Sequence, residues 1–189
     1  MSDLIGGNIS RRSLLGIFAG AMVAAAPVYP KTFSLIRGAG DIRKVSMRSG
    51  RTGESIEMVY WIEGKYIKEA LKEVNHFMRD WREGSTVAMD SRNIDIIAAS
   101  HQLLDTTEPF QMLSGYRSPR TNAMLRSRGR GVAKNSLHMK GMAADLRMNS
   151  RSVGQVARAG YACNSGGVGK YSRSNFVHMD CGVIRTWGR

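Results

Sequence analysis

Cysteine is scarce in this 189-residue chain, which holds only Cys163 and Cys181. Two thiolates cannot build a four-ligand zinc knuckle. They allow one disulfide at most, in an oxidising compartment. The alternative is two small buried side chains, and nothing in the sequence brings the two together. Acidic residues are also few, 15 against 28 Lys and Arg, for a formal net charge of +13. Such a balance favours an anionic partner: nucleic acid, an anionic membrane face or an acidic polymer. It also serves solubility alone, since the basic residues are spread along the chain. Aromatic residues make up 7% of the sequence. No segment combines them with basic residues in the manner of RNA-binding modules, so no nucleic-acid partner is expected. Internal repeats are missing too. What is present, 42% hydrophobic residues, suffices for one ordinary core, and the length fits one domain with a short tail.

The first thirty residues read as an address. Ser10-Arg-Arg-Ser-Leu-Leu-Gly16 leads into an apolar stretch from Ile17 to Ala26 that ends in Ala24-Ala-Ala26. A twin arginine, an apolar run and a small-residue cleavage site make a bacterial twin-arginine export signal. Leu14 to Ala26 is too short for a comfortable permanent span, so no membrane-spanning segment is expected, although an anchor or a core helix is the rival reading. Pro27 directly follows the alanines and disfavours cleavage there. Removing residues 1–26 takes away Asp3, Arg11 and Arg12, a net +1, and leaves +12. The organisation expected is a signal over 1–30, a linker over 31–44 and one folded domain over 45–189, working in the periplasm or cell wall.

Along that domain, Val45 to Met47 and Ser55 to Ile62 alternate as strands around a turn at Gly50 to Gly53, which predicts a hairpin. Tyr66 to Trp81 and Ile94 to Leu104 have helical spacing, the second capped by Asp90 or Ser91. Phe110 to Leu113 is a short strand, Thr121 to Arg128 a short helix capped near Thr121, and Gly129 to Ser136 a basic loop. Met142 to Met148 suits a buried strand, and Ser152 to Tyr161 a helix capped by Ser150 or Ser152. Gly166 to Gly169 reads as a turn before a last hairpin through Phe176 to Ile184. Helices come early and strands cluster late, which favours α+β.

The chemistry lies in two segments, Ser136-Leu-His-Met-Lys-Gly-Met-Ala-Ala-Asp145 and Phe176-Val-His-Met-Asp180. Two imidazoles, His138 and His178, and the Asp145 carboxylate give three ligands to a catalytic zinc ion and leave a fourth position open. Any single histidine is more often an ordinary residue than a ligand, and His76 and His101, within helical patterns, read as structural. Asp145 and His178, however, each sit between apolar neighbours, where an unpaired polar group is costly. Asp180, two residues after His178, shares its face if the segment is a strand. It is either a partner that orients an imidazole or a general base. Arg117, in Ser114-Gly-Tyr-Arg-Ser-Pro119, has the geometry to grip a carboxylate; a solvated loop arginine is the bland alternative.

These three motifs, with Gly166-Gly-Val-Gly169 and Asn175-Phe-Val-His178, resemble the zinc D-alanyl-D-alanine peptidases of the Hedgehog/DD-peptidase superfamily, in particular its YcbK-like murein endopeptidase branch. The resemblance spans residues 45 to 187. It implies an antiparallel sheet with flanking helices around one zinc site, Zn2+ on His138, Asp145 and His178, and Arg117 holding substrate and polarising the scissile carbonyl. Tyr116 and Ser136, from the same motifs, join Arg117 as candidate substrate-binding residues. The implied partners are peptidoglycan peptides, cut at stems or cross-links by an endopeptidase or a carboxypeptidase. One departure stands out: several relatives carry an acidic or histidine base just before the last ligand, where this chain has Phe176 and Val177. That leaves Asp180 or a more distant group as the catalytic base. The rival function is a non-catalytic wall-binding module that keeps the zinc site for structure or recognition.

Overall fold

The computed structural model describes residues 42–129 and 131–188. The export signal and most of the linker lie outside the described residues. Eight strands form one sheet: β1 (Ile42–Ser49), β2 (Ser55–Ile62), β3 (Lys65–Tyr66), β4 (Phe110–Ser114), β5 (Ala143–Arg147), β6 (Gly167–Tyr171), β7 (Phe176–Asp180) and β8 (Arg185–Gly188). Their spatial order is β3-β2-β1-β4-β5-β7-β6-β8. Among the described residues four α-helices accompany them: α1 (Lys68–Phe77), α2 (Ser91–Leu103), α3 (Pro119–Arg128) and α4 (Val153–Cys163). Helices and strands are mixed as the α+β reading expects. The sheet, however, is mixed rather than antiparallel, because β1 pairs with β4 and β6 with β8 in parallel.

Three of the four helices start where a side chain takes an orphan backbone N–H, while α1 begins after Ile67 without such a cap. Asp90 caps α2 by accepting from Arg92 N. Ser118, not Thr121, caps α3, with Pro119 in the first turn. Ser152 and Gln155 form a capping box on α4. Helix α1 is shorter than its apolar spacing suggests, since Tyr66 belongs to β3.

Alternation along β5 and β7 splits the sheet into two faces. Ala144, Leu146, Val177 and Met179 join the buried core with Ile94, Ile97 and Val156 from α2 and α4. Asp145, His178 and Asp180 therefore point to the opposite face. The apolar neighbours around each polar residue are the other half of a strand's period, and they serve the core. Two local readings need correction. Gly167 and Gly169 lie inside a strand rather than a turn. The segment after β7 does not close a hairpin with it; β8 passes to the far side of β6.

Candidate metal centre

Three elements deliver the polar residues of this face. His138 sits in a 3-10 turn, Leu137–Lys140, whose N-cap Ser136 accepts from His138 N. The turn ends at Gly141, in the left-handed region at φ 66°. A Cβ there would stand 2.8 Å from the Ala88 carbonyl oxygen, so glycine suits both the conformation and the close approach. Asp145 and His178 are direct cross-strand partners on β5 and β7. Ser114 pairs with Asp145 beyond a register shift at the end of β4, and Arg117 follows three residues later.

The donor atoms converge. His138 Nε2 lies 3.2 Å from Asp145 Oδ1 and 3.2 Å from His178 Nδ1, and His178 Nδ1 lies 3.0 Å from Asp145 Oδ1. Ligands about 2.0–2.1 Å from a tetrahedral zinc stand about 3.3 Å from one another, so the triangle has the right size. The outer ring nitrogens fix the chemistry of the inner ones. His138 Nδ1 donates to the Gly115 carbonyl at 2.7 Å, and His178 Nε2 donates to Asp180 Oδ2 at 3.0 Å. When both rings are neutral, each aims a lone pair inward, toward the Asp145 oxygen and toward the other ring. Three acceptors facing one point need a cation between them, which is a fit for a metal ion. Among the described residues these three are the group able to hold one.

The electrostatics agree with that demand. Burial pushes His138 below the ordinary imidazole range and keeps it neutral. Burial also acts to lower His178, but its hydrogen bonds to Asp145 and Asp180 outweigh that and raise it to about 9. A proton on Nδ1 would thus compete with a metal ion for that position. Burial opposes ionisation of Asp145, and the two imidazoles overcome it, holding the carboxyl well below its usual range.

Arg117 is buried beside the triangle. Its Nη2 donates to Asp145 Oδ2 at 3.3 Å and to Ser114 Oγ at 3.4 Å, and its Nε is buried without a partner. Asp180 is fully buried. Its Oδ1 accepts from Gly167 N, Gly182 N and Arg185 Nη1, while Oδ2 accepts from His178 and Arg185 Nη2.

An open cleft of about 570 Å³ lies over these groups, and Ser136, Arg117 and the three metal-facing residues line it. Tyr116 is not among its walls; it packs against the core, and its N donates to the Met78 carbonyl. Sequence reading passed over Tyr171, Arg185 and Trp187, which also line the cleft. No local signal marks them, because they reach the site through strand pairing. His101 donates to or accepts from nothing in the cleft; its Nε2 meets the Glu108 carbonyl at 2.7 Å, a structural role. Cys163 and Cys181 are both free and buried, not a disulfide.

Comparison with known proteins adds an independent line. Residues 37–187 match the family described as peptidoglycan L,D-endopeptidase MepK. The chain is 39% identical over 183 residues to the peptidoglycan L,D-endopeptidase MepK of Escherichia coli strain K12, covering 95% of this chain and 98% of that relative. It is 35% identical over 146 residues to the probable peptidoglycan L,D-endopeptidase MepK of Haemophilus influenzae, covering 77% and 78%.

Proposed function

The chain belongs to the peptidoglycan L,D-endopeptidase MepK family, and from that premise we propose that it is an exported zinc peptidase that hydrolyses peptide stems or cross-links of peptidoglycan at an L,D bond. The observation that carries the reading is the triangle of His138 Nε2, Asp145 Oδ1 and His178 Nδ1, with edges of 3.0–3.2 Å, under an open cleft. Those three atoms would hold zinc, which when bound supplies Lewis-acid polarisation and an acidified water. Arg117 faces the same point with a fixed guanidinium. It is suited to stabilise a developing oxyanion or to hold a substrate carboxylate. Its ion pair with Asp145 keeps it in place between turnovers.

Asp180 is best read as a positioning residue. Both its oxygens are engaged by donors, and one of those donors is the outer nitrogen of His178. That bond selects the tautomer whose Nδ1 lone pair faces the metal. Ser136 shapes the cleft wall and caps the turn that carries His138. The cleft's basic side chains, Arg117 and Arg185, suit a peptide rich in carboxylates.

The decisive experiment is incubation of the zinc-loaded protein with purified muropeptides, read by mass spectrometry. New fragments that together exceed the parent by one water are expected, and they should vanish in His178→Ala. Intact muropeptides that nonetheless bind would favour the non-catalytic wall-binding module. Export rests on Ser10-Arg-Arg-Ser-Leu-Leu-Gly16. Replacing Arg11 and Arg12 with Lys should strand the protein in the cytoplasm on cell fractionation; unchanged export would assign residues 1–30 another role. Among the described residues no helix is long and apolar enough to cross a membrane.

A further inference from the structure

The edge strand β8 has a conspicuous relation to the metal-facing residues. Two rungs run across four strands on the site face. One joins Asp145 on β5, His178 on β7, Gly169 on β6 and Trp187 on β8. The next joins Ala143, Asp180, Gly167 and Arg185 in the same order. In each rung a glycine separates the β7 residue from the β8 residue. A side chain on β6 would normally stand between them, since same-face neighbours lie about 5 Å apart.

The glycines open that space, and it is filled. A Cβ on Gly169 would fall 2.4 Å from the Trp187 ring, and one on Gly167 would fall 2.5 Å from Arg185 Nη1 and 2.6 Å from Asp180 Oδ2. Trp187 reaches over Gly169 to His178, with ring centroids 5.3 Å apart. Arg185 reaches over Gly167 to Asp180 with bonds of 3.1 and 2.7 Å. Its guanidinium also lies 4.8 Å from the Trp187 ring centre, so the two side chains brace each other. The Trp187 Nε1 donates to Tyr171 Oη at 2.9 Å, and Tyr171 stacks on Phe176. The indole is thereby held from both ends.

We propose that Arg185 and Trp187 are positioning residues for the metal site, and that Gly167 and Gly169 exist to let an edge strand two places away reach His178 and Asp180. Arg185 holds the Asp180 carboxylate aimed at His178 Nε2 through two hydrogen bonds, and Trp187 limits rotation of the His178 ring. An imidazole ligand held in one orientation loses less freedom when the metal arrives. The predicted signature is lower metal affinity without loss of the fold. The inference rests on the reading of His138, Asp145 and His178 as metal ligands.

The test uses the full mature chain with Arg185→Met, Arg185→Lys, Trp187→Ala, Gly169→Ala and the double variant Gly169→Ala/Trp187→Ala. Zinc affinity is measured by chelator competition, and the cobalt(II) absorption spectrum reports ligand geometry. The melting temperature of the metal-free protein is recorded beside them. Arg185→Met and Trp187→Ala should each weaken zinc about tenfold to a hundredfold and alter the cobalt spectrum. Metal-free melting should fall only modestly, because Asp180 keeps Gly167 N, Gly182 N and His178 as donors, and the metal-free protein should stay folded; Arg185→Lys should recover part of the affinity. If Gly169 serves only to admit the indole, the double variant should match Trp187→Ala rather than add to it. Wild-type zinc affinity and cobalt spectra in both Arg185→Met and Trp187→Ala would overturn the proposal while leaving the metal site standing. Lowered metal-free melting with unchanged affinity would do the same and assign β8 a purely structural role. A wild-type protein that takes up no zinc would overturn the metal reading itself, and this proposal with it.

Discussion

Two carboxylates of this molecule, Asp95 buried and Asp145 mostly so, have opposite surroundings. Asp95, on α2, receives Arg43 Nη1 at 2.9 Å, Tyr60 Oη at 2.8 Å and Tyr66 Oη at 2.7 Å. Every partner of the carboxylate is a donor, so its oxygens are satisfied; the Arg43 guanidinium lies over the Trp61 ring, with its Nε buried and unpartnered. Asp145 receives Arg117 on one oxygen, but its other oxygen faces two imidazole nitrogens whose protons sit on the far side of their rings. That arrangement closes only with a cation between the three, either a metal ion or the proton that His178 takes up in its place. Burial alone therefore does not distinguish structure from function here. The distinction lies in whether donors and acceptors balance.

The largest expected effect breaks the open cluster. His138→Ala or His178→Ala should abolish zinc uptake, measured by metal analysis of the purified variants, because two ligands hold zinc weakly. Full occupancy in either variant would remove these residues from the site. Next comes the closed cluster. Asp95→Ala leaves the Arg43 charge buried and unpaired, and should cost about 3–5 kcal/mol in denaturant unfolding. Zinc affinity of the protein that remains folded should not change; a parallel loss of affinity would mean the two clusters are coupled. Asp180→Asn is smaller. It should keep the fold and weaken zinc about tenfold to a hundredfold. Full zinc affinity with turnover down about a hundredfold would instead return Asp180 to the role of general base. The smallest effect is one of pH. Burial, reinforced by the Asp95 carboxylate, raises the Tyr66 phenol to about 12. The unfolded chain then loses this proton first, so the folded state binds more protons between about pH 10 and 12. In the metal-loaded protein, the Tyr66 contribution to thermal stability should hold up to about pH 10 and fall above it. A melting temperature that rises through that window would contradict the assignment.

How much of this was legible beforehand follows from how far each signal travels along the chain. His138, Asp145 and His178 stand in short segments whose spacing and apolar setting are visible in the sequence. The caps at Asp90 and Ser152 are similarly local. Arg185 and Trp187 were not legible, because their relation to His178 exists only through the register of β6 between β7 and β8. The same cause explains Gly167 and Gly169. Glycine signals a turn when it supplies unusual backbone angles, but here it supplies absence of bulk, and sequence gives both the same letter. The parallel pairings escaped for a related reason: β1 joins β4 across two intervening helices. Tyr116 was drawn toward the site by its neighbour Arg117, yet consecutive residues in an extended loop face opposite ways.

The Gly115 carbonyl and the Asp180 carboxylate hold the two imidazoles from behind, and an apolar core that includes Val45, Ile94, Phe110 and Leu146 stands apart from both. On the proposed metal reading this sets an order of assembly. The chain can fold first and receive its ion afterwards, into a socket with little freedom left to lose, unlike a zinc finger, in which the metal drives folding. Chelation should accordingly leave the circular dichroism of the protein intact while the ion is gone. Returned zinc should reload the socket directly, with no passage through the unfolded chain.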